Sequence, residues 1–245
     1  MTFQAASGFS AAVQGNRVYV DGTPLPAGQG ATTTARGSLQ ALVQIRDDFA
    51  PAMQRQLDET ARALIVTFAE KDQSATPSLP DQPGLFTWSG GTVPAGATIV
   101  PGLAASISVN PALQPSLGGN PNLLRDGGIN GAAYSANPTG AAGFSARIDA
   151  FVLALDAPFA FDSTAGLSAS GSVIGFAAES VGWLELNRSE ADSANQTREA
   201  FRFRAAEALS NATGVSLDEE MSLLLELEQS YKASARLIAA VDQML

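Results

Sequence analysis

The stretch "GVSLDEEMSLLLELEQSYKASARLIAAVDQML", Gly214 to Leu245, decides how the rest of this chain is read. Ser216 is a good helix N-cap and Glu219 stands three residues on, the spacing of a capping box. Asp218, Glu219 and Glu220 then fall in the first turn, where the helix dipole favours negative charge. From there Leu217, Met221, Leu224, Glu228, Tyr231, Ala235, Ile238, Asp242 and Leu245 step by four and three in alternation, which is a heptad seam. A second seam runs beside it through Leu223, Leu227, Ser230, Ser234, Leu237, Val241 and Met244. The small residues Ala233, Ser234, Ala235, Ala239 and Ala240 let a partner helix approach closely. The sequence therefore predicts one long amphipathic helix whose wide apolar face must be covered, either inside its own domain or by another chain.

Upstream, from about Ser170, the chain is rich in charge and free of proline, and predicts two long helices broken at "SNATGVS" by Gly214. The middle is the opposite. Between Gln82 and Ala146 only Arg125 and Asp126 are charged, and glycine and proline are too frequent for a long helix. Within it "TIVPGLAASISVN" alternates Ile99, Leu103, Ala105, Ile107 and Val109, which predicts a half-buried strand. Near the start, "RVYVDGTPL" places Val18 and Val20 before the hairpin signal Asp21-Gly22. Between these lies a helix in which Phe49, Met53, Leu57, Ala61, Leu64, Ile65 and Phe68 form the apolar face, with Pro51 set to kink or restart it. Asp47, Asp48, Asp58 and Glu59 are then expected on a solvated face, and Trp88 and Trp183 in the core or at subunit contacts.

The expected organisation is a strand-bearing fragment over 1–36, an amphipathic helix over 37–76, a Gly/Pro-rich β or irregular segment over 77–165, and a long helical region over 166–245. The fold class is α+β, with long C-terminal helices of coiled-coil type.

Composition narrows the chemistry. The 245 residues contain no cysteine and no histidine, which removes thiolate nucleophiles, imidazole bases and the commonest metal ligand together. No phosphate-binding loop or dinucleotide fingerprint is present, so neither a metal nor a cofactor is expected. With 14 basic against 24 acidic residues and a formal charge of -10, nucleic acid and anionic lipid are disfavoured partners. No apolar run is long enough for a membrane span, and "TFQAASGFSAAVQ" after Met1 lacks the pattern of a cleavable signal. An enzyme reading has only carboxylates to work with. Its first candidates, Asp218, Glu219 and Glu220, are consecutive and do not face one another on a helix. Arg198, Arg202 and Arg204 are diluted by Glu199 and Glu207 and read as a solvated helix face.

The Gly214 to Leu245 stretch resembles the C-terminal signature of bacterial flagellar axial proteins, most closely that of the hook-filament junction proteins, the FlgK family of hook-associated proteins. That pattern runs Gly-Val-Asn-Leu-Asp-Glu-Glu, then Gln-x-x-Tyr-x-Ala-Ser-Ala, then Val-Asp-x-Met-Leu. Here Ser216 replaces the Asn, while Gln229, Tyr231, Ala233, Ser234, Ala235, Val241, Asp242, Met244 and Leu245 fit. "GSLQALVQIRDDFAPAMQRQLDETARAL", Gly37 to Leu64, resembles a second family segment, and "ASISVNPAL", Ala105 to Leu113, a third. The family's N-terminal Asn-x-x-Asn-x-x-Thr-x-Gly-Tyr stretch has no counterpart, so the chain is expected to be the C-terminal portion of such a protein or a shorter relative.

The resemblance implies a structural, non-enzymatic protein of the bacterial flagellum, extracellular and exported by the type III apparatus without signal cleavage. It implies as partners further copies of the same protein, the hook protein, the neighbouring hook-associated protein, the N-terminal helix of the full-length family member, and an export chaperone on the C-terminal helix. The assembly residues would be Leu217, Met221, Leu224, Tyr231, Ala235, Ile238 and Leu245. Hook and rod proteins share a similar terminal pattern and form the alternative, which the Asp-Glu-Glu-Met start and the Arg-Asp helix weigh against.

Overall fold

The computed structural model of the chain describes residues 19–20, 22–24, 37–214 and 217–244. Most of the expected 1–36 fragment, Ser216 and Leu245 lie outside them. The chain divides into two compact units, Met1–Leu184 and Glu185–Leu245.

The first unit begins with a short antiparallel pair, β1 (Tyr19–Val20) and β2 (Thr23–Pro24). Helix α1 (Ser38–Gln44) passes through a π-helical stretch, Ile45–Phe49, into α2 (Ala50–Thr67). Pro51 explains the π turn, because its ring and missing N–H cannot be fitted into a regular α ladder. The helix is re-wound ahead of Pro51, and the backbone stays helical through the junction.

Beyond α2 the glycine- and proline-rich segment folds as short pieces. Strands β3 (Phe86–Thr87) and β4 (Ser108–Val109) pair antiparallel, with the helical turn α3 (Leu103–Ser106) just before β4. A second helical turn, α4 (Leu123–Asp126), precedes α5 (Ala146–Asp156), and β5 (Phe159–Ala160) pairs with β6 (Ser170–Gly171). The strand expected over 99–109 is confined to Ser108–Val109. Leu103 is fully buried, but from a helical turn, and Val109 is exposed. The period-two pattern misled because Pro101-Gly102 starts a turn in the middle of it.

Helix α2 is the hub. Ala63 joins Phe161, Ala165, Val173 and Phe176 in one apolar cluster, while Ala61 and Ile65 join Leu103 in another, against which Phe86 and Trp88 pack. Phe161 and Phe176 stack at 4.0 Å, and Phe68 meets Phe86 and Phe151 at 5.5 and 4.9 Å. Trp183 stacks on Phe49 at 4.8 Å. Gly84 is needed where the loop crosses the end of α2, since a Cβ there would lie 2.0 Å from the Phe68 carbonyl oxygen.

The solvated face expected for Asp58 and Glu59 is corrected by their burial, at 1% and 0% exposure, while Leu57 of the expected apolar face is 43% exposed. Asp47 and Asp48 are half-buried. Buried positions 56, 58, 59, 61, 62, 63 and 65 surround α2 instead of lining one stripe, so the helix is enclosed by the loops it holds. Its polar side chains are the fasteners. Asp58 accepts hydrogen bonds from the Gly102 and Ala104 amides, each at 2.9 Å, which secures α3. Glu59 forms a two-pronged pair with Arg62 at 2.8 and 2.7 Å and also accepts from the Asp162 amide at 2.9 Å. Arg62 donates onward to the carbonyls of Gly96 and Ala160, each at 2.6 Å. Just past α2, Glu70 accepts from the amides of Ile129 and Asn130. A segment with little regular structure must satisfy its backbone groups somewhere, and here buried carboxylates and one guanidinium do so.

Helix α6 (Val173–Thr213) contributes Val173, Phe176 and Ser180 to the first unit and continues into the second, which also holds α7 (Leu217–Met244). The two expected long helices and the break between them at Gly214 are thus present. The Gly214 amide donates to the Ser210 carbonyl at 2.6 Å, and a Cβ at Gly214 would come within 2.4 Å of that oxygen.

Candidate assembly surface

Residues 217–244 suit a helix throughout. Leu, Glu, Ala, Gln, Lys, Arg and Met are strong helix formers, and neither glycine nor proline interrupts the 28 residues. Asp218, Glu219 and Glu220 occupy the first turn as expected. Ser216, the expected cap, and Leu245, the last seam residue, lie outside the described residues.

The helix brings the other seam residues onto one stripe. A step that averages 3.5 residues drifts by only about 20° per heptad on a straight α-helix, so Leu217, Met221, Leu224, Tyr231, Ala235 and Ile238 stay on one side. All of them are exposed, the large ones from 60% for Met221 to 79% for Tyr231. The second seam, with Leu223, Leu227, Leu237, Val241 and Met244, is exposed beside it. No described residue of α7 is buried. Phe201, Phe203 and Leu209 on α6 are exposed as well. An apolar face this long on two adjacent seams exceeds the scattered single residues that any surface carries, and is of the kind found where proteins meet partners.

Polar groups on the stripe are few. Glu228 sits in the first seam and is paired with Lys232 one turn on, at 2.5 Å, with both side chains exposed. Such a pair contributes little to helix stability in water. The basic cluster expected to be solvated is so: Arg202 lies 3.9 Å from Glu199, both well exposed.

The carboxylates of the first unit serve structure. Asp72 accepts from the amides of Ser78, Ser74 and Leu79, which hold it well below the usual carboxylate range. Asp126 is pulled down to about 2 by the hydrogen bond from Arg125 and then by that from Asn137. The amides of Ile99 and Thr164 lower Asp162 in the same way. Burial, with the neighbouring charge of Asp47, raises Asp48. Among the described residues no group of three or more acidic side chains could hold a metal ion, and no helix is long and apolar enough to cross a membrane. Sequence reading missed the anchoring carboxylates, and the available signal was the nearly uncharged loop segment that needed them.

Residues 207–245 match the family model described as the flagellar basal body rod FlgEFG protein C-terminal. The match covers the whole seam and the end of α6. No curated protein and no solved structure matches the chain. The C-terminal part is therefore similar to flagellar axial proteins, which supports a structural role in the bacterial flagellum beside other axial subunits.

Proposed function

We propose that this chain is a structural subunit of the hook-filament junction, joined to its neighbours by burial of the α7 seam. The observation that carries the reading is an exposed, doubly seamed apolar helix lying within a flagellar axial match. Assembly of this kind needs no catalysis, because apolar area removed from water supplies about 25 cal/mol per Å². The small residues Ala233, Ser234, Ala235, Ala239 and Ala240 let a second helix come close along the later half of α7. The partner helix is the N-terminal helix of the full-length protein or a helix of a neighbouring axial subunit, and the pairing is of coiled-coil type. Before assembly an export chaperone covers the same face, and export proceeds through the flagellum without signal cleavage. By the same reading the organisation is 1–36, 37–76, 77–165 and 166–245, with the middle segment outside the helical layer.

Placement at the junction rests on the resemblance of Gly37 to Leu64 and of the Asp218-Glu219-Glu220-Met221 start. A second reading, a hook or rod subunit, is favoured by the description of the matching family model. Immunogold labelling of a tagged protein on purified flagella separates the two. Label confined to the boundary between hook and filament supports the junction. Label along the hook or at the rod supports the alternative, and label nowhere on the flagellum overturns both.

A further inference from the structure

Helix α6 carries a basic patch in a chain whose formal charge is -10. Residues 198–204 hold the three arginines Arg198, Arg202 and Arg204 against the single acid Glu199, and all four are exposed. Phe201, Ala205, Ala208 and Ala212 step by four, three and four, so they share one face of the helix. Arg202 and Arg204 border that face on either side, at the positions that set partner choice between paired helices. Phe201 is thus an exposed aromatic knob with a cation on each flank. Glu199 holds Arg202 only loosely, at 3.9 Å with both side chains well exposed.

Helix α7 offers the counterpart. Residues 217–228 hold five acidic side chains and no basic one. Glu220, Leu223, Leu224 and Leu227 are spaced as the four corners of a hole into which a facing helix inserts a side chain. With Glu226 and Ser230 they line one groove along α7, its leucines lying among carboxylates. The groove follows the second seam and leaves Tyr231, Ala235 and Ile238 of the first open to another helix. Phe201 and the groove leucines are all exposed, so α6 does not fill the groove of its own α7. Resting on the proposed assembly role of α7, we infer that the α6 face around Phe201 docks in the α7 groove of a second copy of this chain, with Arg202 and Arg204 meeting Glu220 and Glu226. A knob and its oppositely charged hole at different places on one chain make a head-to-tail contact, which repeats from copy to copy. Exposed ion pairs alone are worth little, so Phe201 on the leucines supplies affinity and the charges supply register.

The test is sedimentation equilibrium of the whole 245-residue chain and two charge-reversed variants, Arg202→Glu with Arg204→Glu and Glu220→Arg with Glu226→Arg. The parent chain is expected to self-associate reversibly, and less so as salt screens the charges. Each reversed chain alone associates at least about tenfold more weakly. An equimolar mixture of the two recovers the parent's association, because each groove then meets a knob of opposite charge on the other chain. Circular dichroism checks the helix content of both variants. Should a reversed chain lose helix, Arg202→Gln with Arg204→Gln takes its place, and association as strong as the parent's then overturns the proposal. So does a parent chain that stays monomeric, a reversed chain that associates as the parent does, or a mixture that pairs no better than its components. Pairing is read in solution and location by labelling on flagella, so failure of this contact is distinct from failure of the flagellar reading.

Discussion

Helix α2 buries Gln56, Asp58, Glu59 and Arg62, whereas α7 exposes Leu224, Tyr231, Leu237 and Ile238. Each inverts the ordinary partition of side chains between core and water, and for opposite reasons. Around α2 the chain supplies loops full of backbone donors and carbonyls but almost no charge, so charged side chains become useful inside. They form short charge-assisted hydrogen bonds that an apolar side chain could not offer to Gly102, Ala104 or Asp162. Along α7 the apolar side chains have no such task within their own unit. Polar residues inside thus mark a fold closed upon itself, and apolar residues outside leave a face that, on the proposed function, another chain covers.

The contrast breaks first at Glu59. Glu59→Ala leaves Arg62 buried without its counter-charge and the Asp162 amide without its acceptor, at a cost of about 3–5 kcal/mol. Urea unfolding followed by the fluorescence of Trp88 and Trp183, both in the first unit, measures this. A loss well below 1 kcal/mol, of the size typical for a surface change, means that the buried network is not what closes the unit. Asp58→Ala removes the acceptor for two amides of α3 and is expected to cost about 2–3 kcal/mol by the same measurement.

Acid probes the same carboxylates without mutation. The carboxyl of Asp126 lies at about 2 in the folded chain against an ordinary 3.8, held down by Arg125 and Asn137. Asp162 and Asp72 are lowered as well. A depressed carboxyl stabilises the fold fully above its unfolded value, and that contribution is lost as pH falls toward the folded value. The first unit should therefore lose stability progressively from about pH 4 to pH 2, seen as a falling midpoint in thermal scans. A midpoint that stays level over that range would count against these anchors. At the small end, Lys232→Ala removes only the exposed pair with Glu228 and should shift stability by no more than about 0.5 kcal/mol.

Much of the helical layout was legible in sequence because it depends on local rules. The proline-free charged stretch and Gly214 mark two helices and their break, and the Asp218 to Glu220 turn marks the second start. Pro51 marks the place where the helical ladder changes. The interior of the first unit was not legible. Leu57 repeats with Met53 and Ala61 as a core residue would, yet its neighbours Asp58 and Glu59 are taken inside by donors 44 and 103 residues further along the chain. Period reports which residues share a face, and only tertiary partners decide which face is wanted inside. The candidate surface was readable for the converse reason, since a heptad seam is a local pattern and its exposure on α7 requires no distant partner.

On the proposed function the α7 seam belongs to assembly and not to the fold of its own chain. Ile238→Asp tests it most directly, with the variant placed in the flagellated cell and in the purified chain side by side. The variant is expected to fail to enter the flagellum, since a buried unpaired charge costs several kcal/mol in the assembled state, while thermal unfolding of the first unit is unchanged. Normal incorporation, or unfolding of the first unit along with the substitution, contradicts it.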